Sequence, residues 1–185
     1  MINRNIKEQN FLLLIASYFF YGWWDWRFLS LIIFSSAIDY SIGLLLSSKK
    51  KEINRKLLLF SSVIINIGFL AFFKYFNFFV DSFSNAFTFF GQSIDPMRLN
   101  IIIPVGISFY TFQTLSYTID VYKKKMPPTK DIVSFFAFVS FFPQLVAGPI
   151  ERASNLLPQF FQRRTFQYIK AVDGLRQILW GLFKK

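Results

Sequence analysis

Residues 57–80 read LLLFSSVIINIGFLAFFKYFNFFV, an apolar run of roughly two dozen residues with a single charge at Lys74. A bilayer hydrocarbon core about 30 Å thick takes about 20 residues of α-helix to cross, so the run is long enough to span. In hydrocarbon the backbone finds no water, and a lone segment satisfies its own N–H and C=O groups only as a helix. The surrounding composition agrees: 54% of the 185 residues are hydrophobic, 21% aromatic and 17% charged, with 27 Phe against 8 Gly and 7 Pro. That much bulky apolar surface exceeds what one water-soluble core of this size hides. The sequence therefore predicts an all-α, polytopic transmembrane helical bundle forming a single domain.

Outward from this run, two apolar stretches precede it, at about 11–24 and 28–46, and one follows, at about 101–122. Between the first two lies Trp23-Trp24-Asp25-Trp26, and clustered Trp favours the membrane interface. The segment after residue 80, with Asp81, Ser82, Ser84, Gln92, Asp95 and Pro96, reads as a polar connection. Basic residues precede the first run (Arg4, Lys7) and follow the second (Lys49, Lys50, Lys51, Arg55, Lys56) and the fourth (Lys123, Lys124, Lys125), whereas the other turns offer Arg27 and Arg98. By the positive-inside rule these three clusters define one cytoplasmic side, which includes the N-terminus. The same clusters suit contacts with anionic lipid. Tyr21-Gly22-Trp23-Trp24 stands where a secretory signal would carry small residues, so no cleaved leader is expected.

After Met126-Pro127-Pro128 comes a shorter apolar stretch, 132–142, followed by the Pro- and Gly-punctuated residues 143–150. It is too short to span and reads as a re-entrant or interfacial element over 132–150, tolerated at depth where protein or a water-filled cavity satisfies its backbone. From 165 to 183, Phe166, Ile169, Val172, Leu175, Leu179 and Leu182 recur at helical spacing opposite Gln167, Lys170, Asp173 and Gln177, which predicts an amphipathic helix along the cytoplasmic surface.

Polar residues inside the spans fall into stripes. Ser35, Asp39, Gly43 and Ser47 recur at four-residue spacing, the ordinary form of a helix-packing face, although a carboxyl such as Asp39 is more than packing requires. Ser62, Asn66, Lys74, Asn77 and Asp81 share about a quarter of a helix circumference, which would turn Lys74 inward or let it snorkel. Gly106, Tyr110, Gln113, Tyr117 and Asp120 form a third stripe, suited equally to internal hydrogen bonding and to lining a substrate path. With no Cys there is no disulfide, thiolate ligand or Cys nucleophile, and with no His the commonest base and metal ligand is missing. The net charge of +11 is dispersed in short clusters between apolar runs, which argues against nucleic-acid binding.

Several segments in order carry a resemblance: Tyr21-Gly22-Trp23-Trp24, Phe73-Lys74-Tyr75-Phe76-Asn77-Phe78-Phe79, Pro104-Val105-Gly106-Ile107-Ser108-Phe109-Tyr110-Thr111-Phe112-Gln113, Tyr117-Thr118-Ile119-Asp120-Val121-Tyr122, and Phe142-Pro143-Gln144-Leu145-Val146-Ala147-Gly148-Pro149-Ile150. Together they resemble the membrane-bound O-acyltransferase superfamily, in the bacterial branch typified by alginate O-acetyltransferase and the teichoic-acid D-alanyl transfer protein. The likeness runs from about 11 to 185.

The resemblance implies a helical funnel in which an acyl donor of thioester type, arriving from the cytoplasm, meets a hydroxyl on a cell-envelope polysaccharide. No bound cofactor is implied. The family's catalytic His belongs to its C-terminal half. The chain is thus expected to be the N-terminal, incomplete part of such an enzyme, lacking an opening span, inactive alone and able to pair with a C-terminal half on another chain. Tyr110, Gln113, Tyr117, Gln144, Glu151 and Arg152 are expected near the funnel as wall and positioning groups, none as base or nucleophile. A non-catalytic membrane scaffold or a transporter-like remnant is the alternative, since interior polar stripes suit a transport path too.

Overall fold

A computed structural model describes residues 5–48, 51–89, 102–146, 148 and 151–185. Arg4, Lys49, Lys50, Gln92, Asp95, Pro96, Arg98, Ala147, Pro149 and Ile150, invoked above, lie outside them. Every regular element among the described residues is helical.

Helix α1, Ile6–Ser48, is two arms broken at Asp25, whose backbone is extended (φ −158°, ψ 112°). Its carboxylate accepts a hydrogen bond from the Arg27 N–H (2.9 Å) and lies 3.4 Å from the Arg27 side chain, so Asp25 caps the second arm. That is why the chain turns between the first two apolar runs. Trp23 and Trp26, beside the break, are 81% and 75% exposed. Helix α2, Glu52–Leu70, passes through a π turn, Ala71–Tyr75, into α3, Phe76–Phe89. Helix α4, Ile107–Tyr122, follows Gly106, held at φ 75°. Two short helices, α5 (Ile132–Val139) and α6 (Phe142–Val146), lead to α7 (Ala153–Leu156), a 3₁₀ turn (Leu157–Phe160) and α8 (Tyr168–Lys184).

The long elements run alternately up and down. At one end the Tyr21 hydroxyl donates to the Val105 carbonyl (2.6 Å). At the other, Arg55 Nη2 donates to the Tyr122 carbonyl (2.5 Å), the Tyr122 hydroxyl donates to Glu52 (2.6 Å) and the Tyr40 hydroxyl donates to the Lys130 carbonyl (2.8 Å). The turns flanking Lys51 and Lys123–Lys125 therefore occupy one end, as their charge implied. The core lies where α5 wedges against α1 and α4: Ile32, Leu46, Tyr117, Phe135, Phe138 and Leu157 are buried, with the Tyr117 and Phe135 rings 4.6 Å apart. Asp131 caps α5, accepting from the Val133 N–H and the Ser134 hydroxyl. Outside this core Phe19, Phe60, Phe78 and Phe79 stand well exposed. An apolar belt of that extent needs lipid, not water.

Five readings of the sequence change. Two helices among the described residues, 25–48 and 52–87, are long and apolar enough to cross a membrane; α4, with 16 residues, rises only about 24 Å. Its run is helical from Ile107, not from 101, because Pro104 and the left-handed Gly106 delay it. The polar residues Asp81, Ser82 and Ser84 continue the helix to Phe89, supported by Phe83 packed one turn from Phe87, the tilted rings 4.5 Å apart. Helix α8 starts at Tyr168, leaving Phe166 outside it. Of the two alternatives for Lys74, inward or snorkelling, the inward one falls: Lys74 is exposed beside the Tyr75 ring. The π turn, which contains Lys74, adds a residue to the helical repeat and so breaks the 3.6-residue phase that the stripe assumed.

Candidate functional site

Helix α4 turns a polar face to the interior: Tyr110, Thr111, Gln113, Thr114, Tyr117, Thr118 and Asp120 are all buried. Of the six residues singled out in the sequence, Gln113 and Gln144 are in direct contact. Gln113 Nε2 donates to Gln144 Oε1 (2.8 Å) and to the Phe138 carbonyl (3.2 Å), tying α4 to α5 and α6. Gly106 allows this approach, since a Cβ there would lie 3.2 Å from the Leu145 carbonyl oxygen in a backbone conformation that L side chains resist. Gln144 and Glu151 line one open pocket of about 210 Å³ with Phe141, Pro143, Gly148 and Leu156. The Gln113 Oε1 is buried with no hydrogen-bond partner among the described residues.

Tyr117 stands apart from that pair. Its ring packs on Gly43, where a Cβ would come within 2.6 Å of it, and its hydroxyl accepts the Thr129 N–H (3.2 Å). It thus joins α1 to the turn before α5. Tyr110 is buried in the core cluster. Glu151 and Arg152 are exposed, and the Arg152 carbonyl begins α7 by accepting from the N–H groups of Asn155 and Leu156. Arg152 is not part of the Gln144 pocket lining.

A second polar node escaped the sequence as a site, although its stripes were visible. Asp39, fully buried on the second arm of α1, accepts from Ser62 Oγ (2.5 Å), Asn66 Nδ2 (2.7 Å) and Thr118 Oγ1 (3.2 Å). Asn66 Oδ1 in turn accepts from Ser35 (3.0 Å) and Thr114 (3.2 Å). Three helices therefore close on one carboxyl with a full set of donors. The signal lay in four-residue spacing on each helix; no single helix reveals that the stripes face one another.

A third contact holds the C-terminal segment. Asn10 Nδ2 donates to Ser134 Oγ (2.8 Å) and to the Phe160 carbonyl (2.7 Å), while Arg164 Nη2 donates to Asn10 Oδ1 (2.8 Å). Burial lowers the pKa of the Arg164 guanidinium, which also lies over the Phe160 ring. Among the described residues no group of His, Cys, Asp and Glu side chains could hold a metal ion. These nodes can hold, orient and hydrogen-bond; none supplies a nucleophile with a base beside it.

The fold and these nodes define a helical membrane protein whose apolar core is joined by buried polar nodes. The chain is similar to the N-terminal third of proteins named alginate O-acetylases, in keeping with its resemblance to the membrane-bound O-acyltransferase superfamily. It is 42% identical over 183 residues to the protein named "Probable alginate O-acetylase AlgI" of Pseudomonas syringae pv. tomato and 41% identical to that of Pseudomonas aeruginosa, in each case over 97% of this chain. It is also 32% identical to the peptidoglycan O-acetyltransferase of Helicobacter pylori, over 94% of the chain. The chain spans about a third of the length of these relatives, from 34% to 37%. No family model matches the chain, and no solved structure does.

Proposed function

We propose that this chain is the N-terminal part of a bacterial membrane-bound O-acyltransferase that moves an acyl group, acetyl on the relatives' names, onto hydroxyls of a cell-envelope polysaccharide. The observation that carries the reading is the match across 97% of the chain to proteins named alginate O-acetylases. The acceptor hydroxyl would attack the acyl carbon of a thioester-type donor, its proton passing to a base as the thiolate leaves. This chain holds no His, so that base would come from the C-terminal part of the enzyme. The N-terminal part would supply walls and positioning: Gln144 and Glu151 at the open pocket, with Gln113 fixing the Gln144 amide.

In this reading the protein is multi-pass in the cytoplasmic membrane with its N-terminus inside, helices 25–48 and 52–87 being its long crossings. The segment 132–150 dips in from one side, and α8 lies on the cytoplasmic surface. The gathering of Lys51, Arg55, Lys124 and Lys125 at one end supports it. The test is the acyl-ester content of envelope polysaccharide in cells expressing this chain alone, with a C-terminal part from a relative, and with that part carrying His→Ala. Ester in the second case only is the expected result. Ester from the chain alone overturns the assignment of the base, and none in any case favours a scaffold.

A further inference from the structure

Where the long apolar helices end together, at the basic end of the bundle, a pocket of about 390 Å³ opens between the second arm of α1, α2 and the C-terminus of α4. Its lining divides by chemistry. Leu46, Val121, Met126, Pro127 and Pro128 give an apolar floor, and Arg55, Lys124 and Lys125 bring three cations, with no carboxylate among the lining residues. Two acids stand close by: Glu52 accepts from the Tyr122 hydroxyl and feels the charges of Arg55 and Lys124, and Asp120, next to Val121, is buried with one carboxylate oxygen unpartnered among the described residues.

Arg55 is the unusual member. It is 8% exposed, yet its one side-chain hydrogen bond among the described residues runs from Nη2 to the Tyr122 carbonyl, and its Nε is buried with no partner there. A guanidinium carries five N–H donors and is costly to bury without an anion. Lys124 is held at φ 57°, a left-handed conformation uncommon for a residue with a side chain, at the turn that brings it to the pocket. A planar donor fork beside two ammonium groups, over an apolar floor, matches a phosphate group attached to something apolar. Helices 25–48 and 52–87 end and begin here, which puts the pocket at headgroup depth if they cross the bilayer.

We propose that this pocket binds an anionic phosphate group, held by Arg55, Lys124 and Lys125. A lipid headgroup and a soluble phosphate ester offer the same group, so the test separates them. The whole chain in neutral detergent is titrated with short-chain phosphatidylglycerol, short-chain phosphatidylcholine and inorganic phosphate. Lys124→Asn/Lys125→Gln is compared with the charge-matched pair Lys56→Gln/Lys123→Gln, whose residues lie outside the pocket lining. Saturable binding of phosphatidylglycerol over phosphatidylcholine, about tenfold weaker in the first pair and unchanged in the second, is expected. Competition by inorganic phosphate at similar concentration assigns a soluble ester; its absence assigns the lipid. Equal weakening by both pairs shows diffuse attraction and overturns the site. So does the lack of any preference for phosphatidylglycerol together with no binding of phosphate.

Discussion

At the residue scale, Asp39 is the group whose loss is most costly. Its carboxylate accepts from Ser62, Asn66 and Thr118; without it the two hydroxyls lose this acceptor in a medium that offers no water, and Asn66 Nδ2 keeps only the Ser62 carbonyl. Asp39→Ala is expected to destabilise by about 3 kcal/mol and Asp39→Asn by less, with Ser35→Ala, which touches only Asn66, near 1 kcal/mol. Unfolding midpoints in detergent check the order. Gly43 offers a second, steric test. Gly43→Ala drives a methyl into the Tyr117 ring and should cost about 1–3 kcal/mol, by the same measurement. Gly68→Ala, on α2 with nothing within 4 Å, should be neutral or gain up to about 1 kcal/mol from helix propensity. The sequence marked Gly43 as a packing position but could not say that a Tyr 74 residues on would fill it.

At the element scale, α5 and α8 are opposites. Helix α5 has eight residues, too few to persist alone, and stands because Asp131 caps it and Phe135, Phe138 and Val139 are buried against α1 and α4. Helix α8 has 17 residues and buries none, with Ile169, Leu179 and Phe183 open on its apolar side. Its amphipathic pattern, legible in the sequence, has no partner among the described residues of the bundle. A peptide of residues 165–185 is therefore expected to be largely unfolded in water and to become helical on anionic vesicles, by circular dichroism, with salt weakening the effect. Helicity in buffer without vesicles would count against an interfacial role. The pair α2 and α3 departs from its own pattern. A period of 3.6 carried through residues 62–81 turns Lys74 inward, and a π turn that no pattern announces breaks the phase.

At the scale of the whole molecule, the basic turns gather at one end, and the absence of Cys lets that arrangement be read directly. Single substitutions Lys51→Cys and Lys124→Cys are expected to be shielded from a membrane-impermeant maleimide in intact cells and labelled after lysis. Ser82→Cys, toward the far end of the second long helix, should label from outside. Labelling of all three from one side would refute the topology. The fold class, the break at Asp25 and the basic end were fixed by local chemistry: apolar length, a capping carboxylate and charge placement act along the chain and can be read along it. The tertiary structure alone decided that the stripes on α1, α2 and α4 meet at Asp39, that Gln113 holds Gln144, and that Arg55 is buried beside Lys124 and Lys125. Helical spacing says which residues share a face, but which faces meet depends on crossing and rotation set by close packing among all the helices at once.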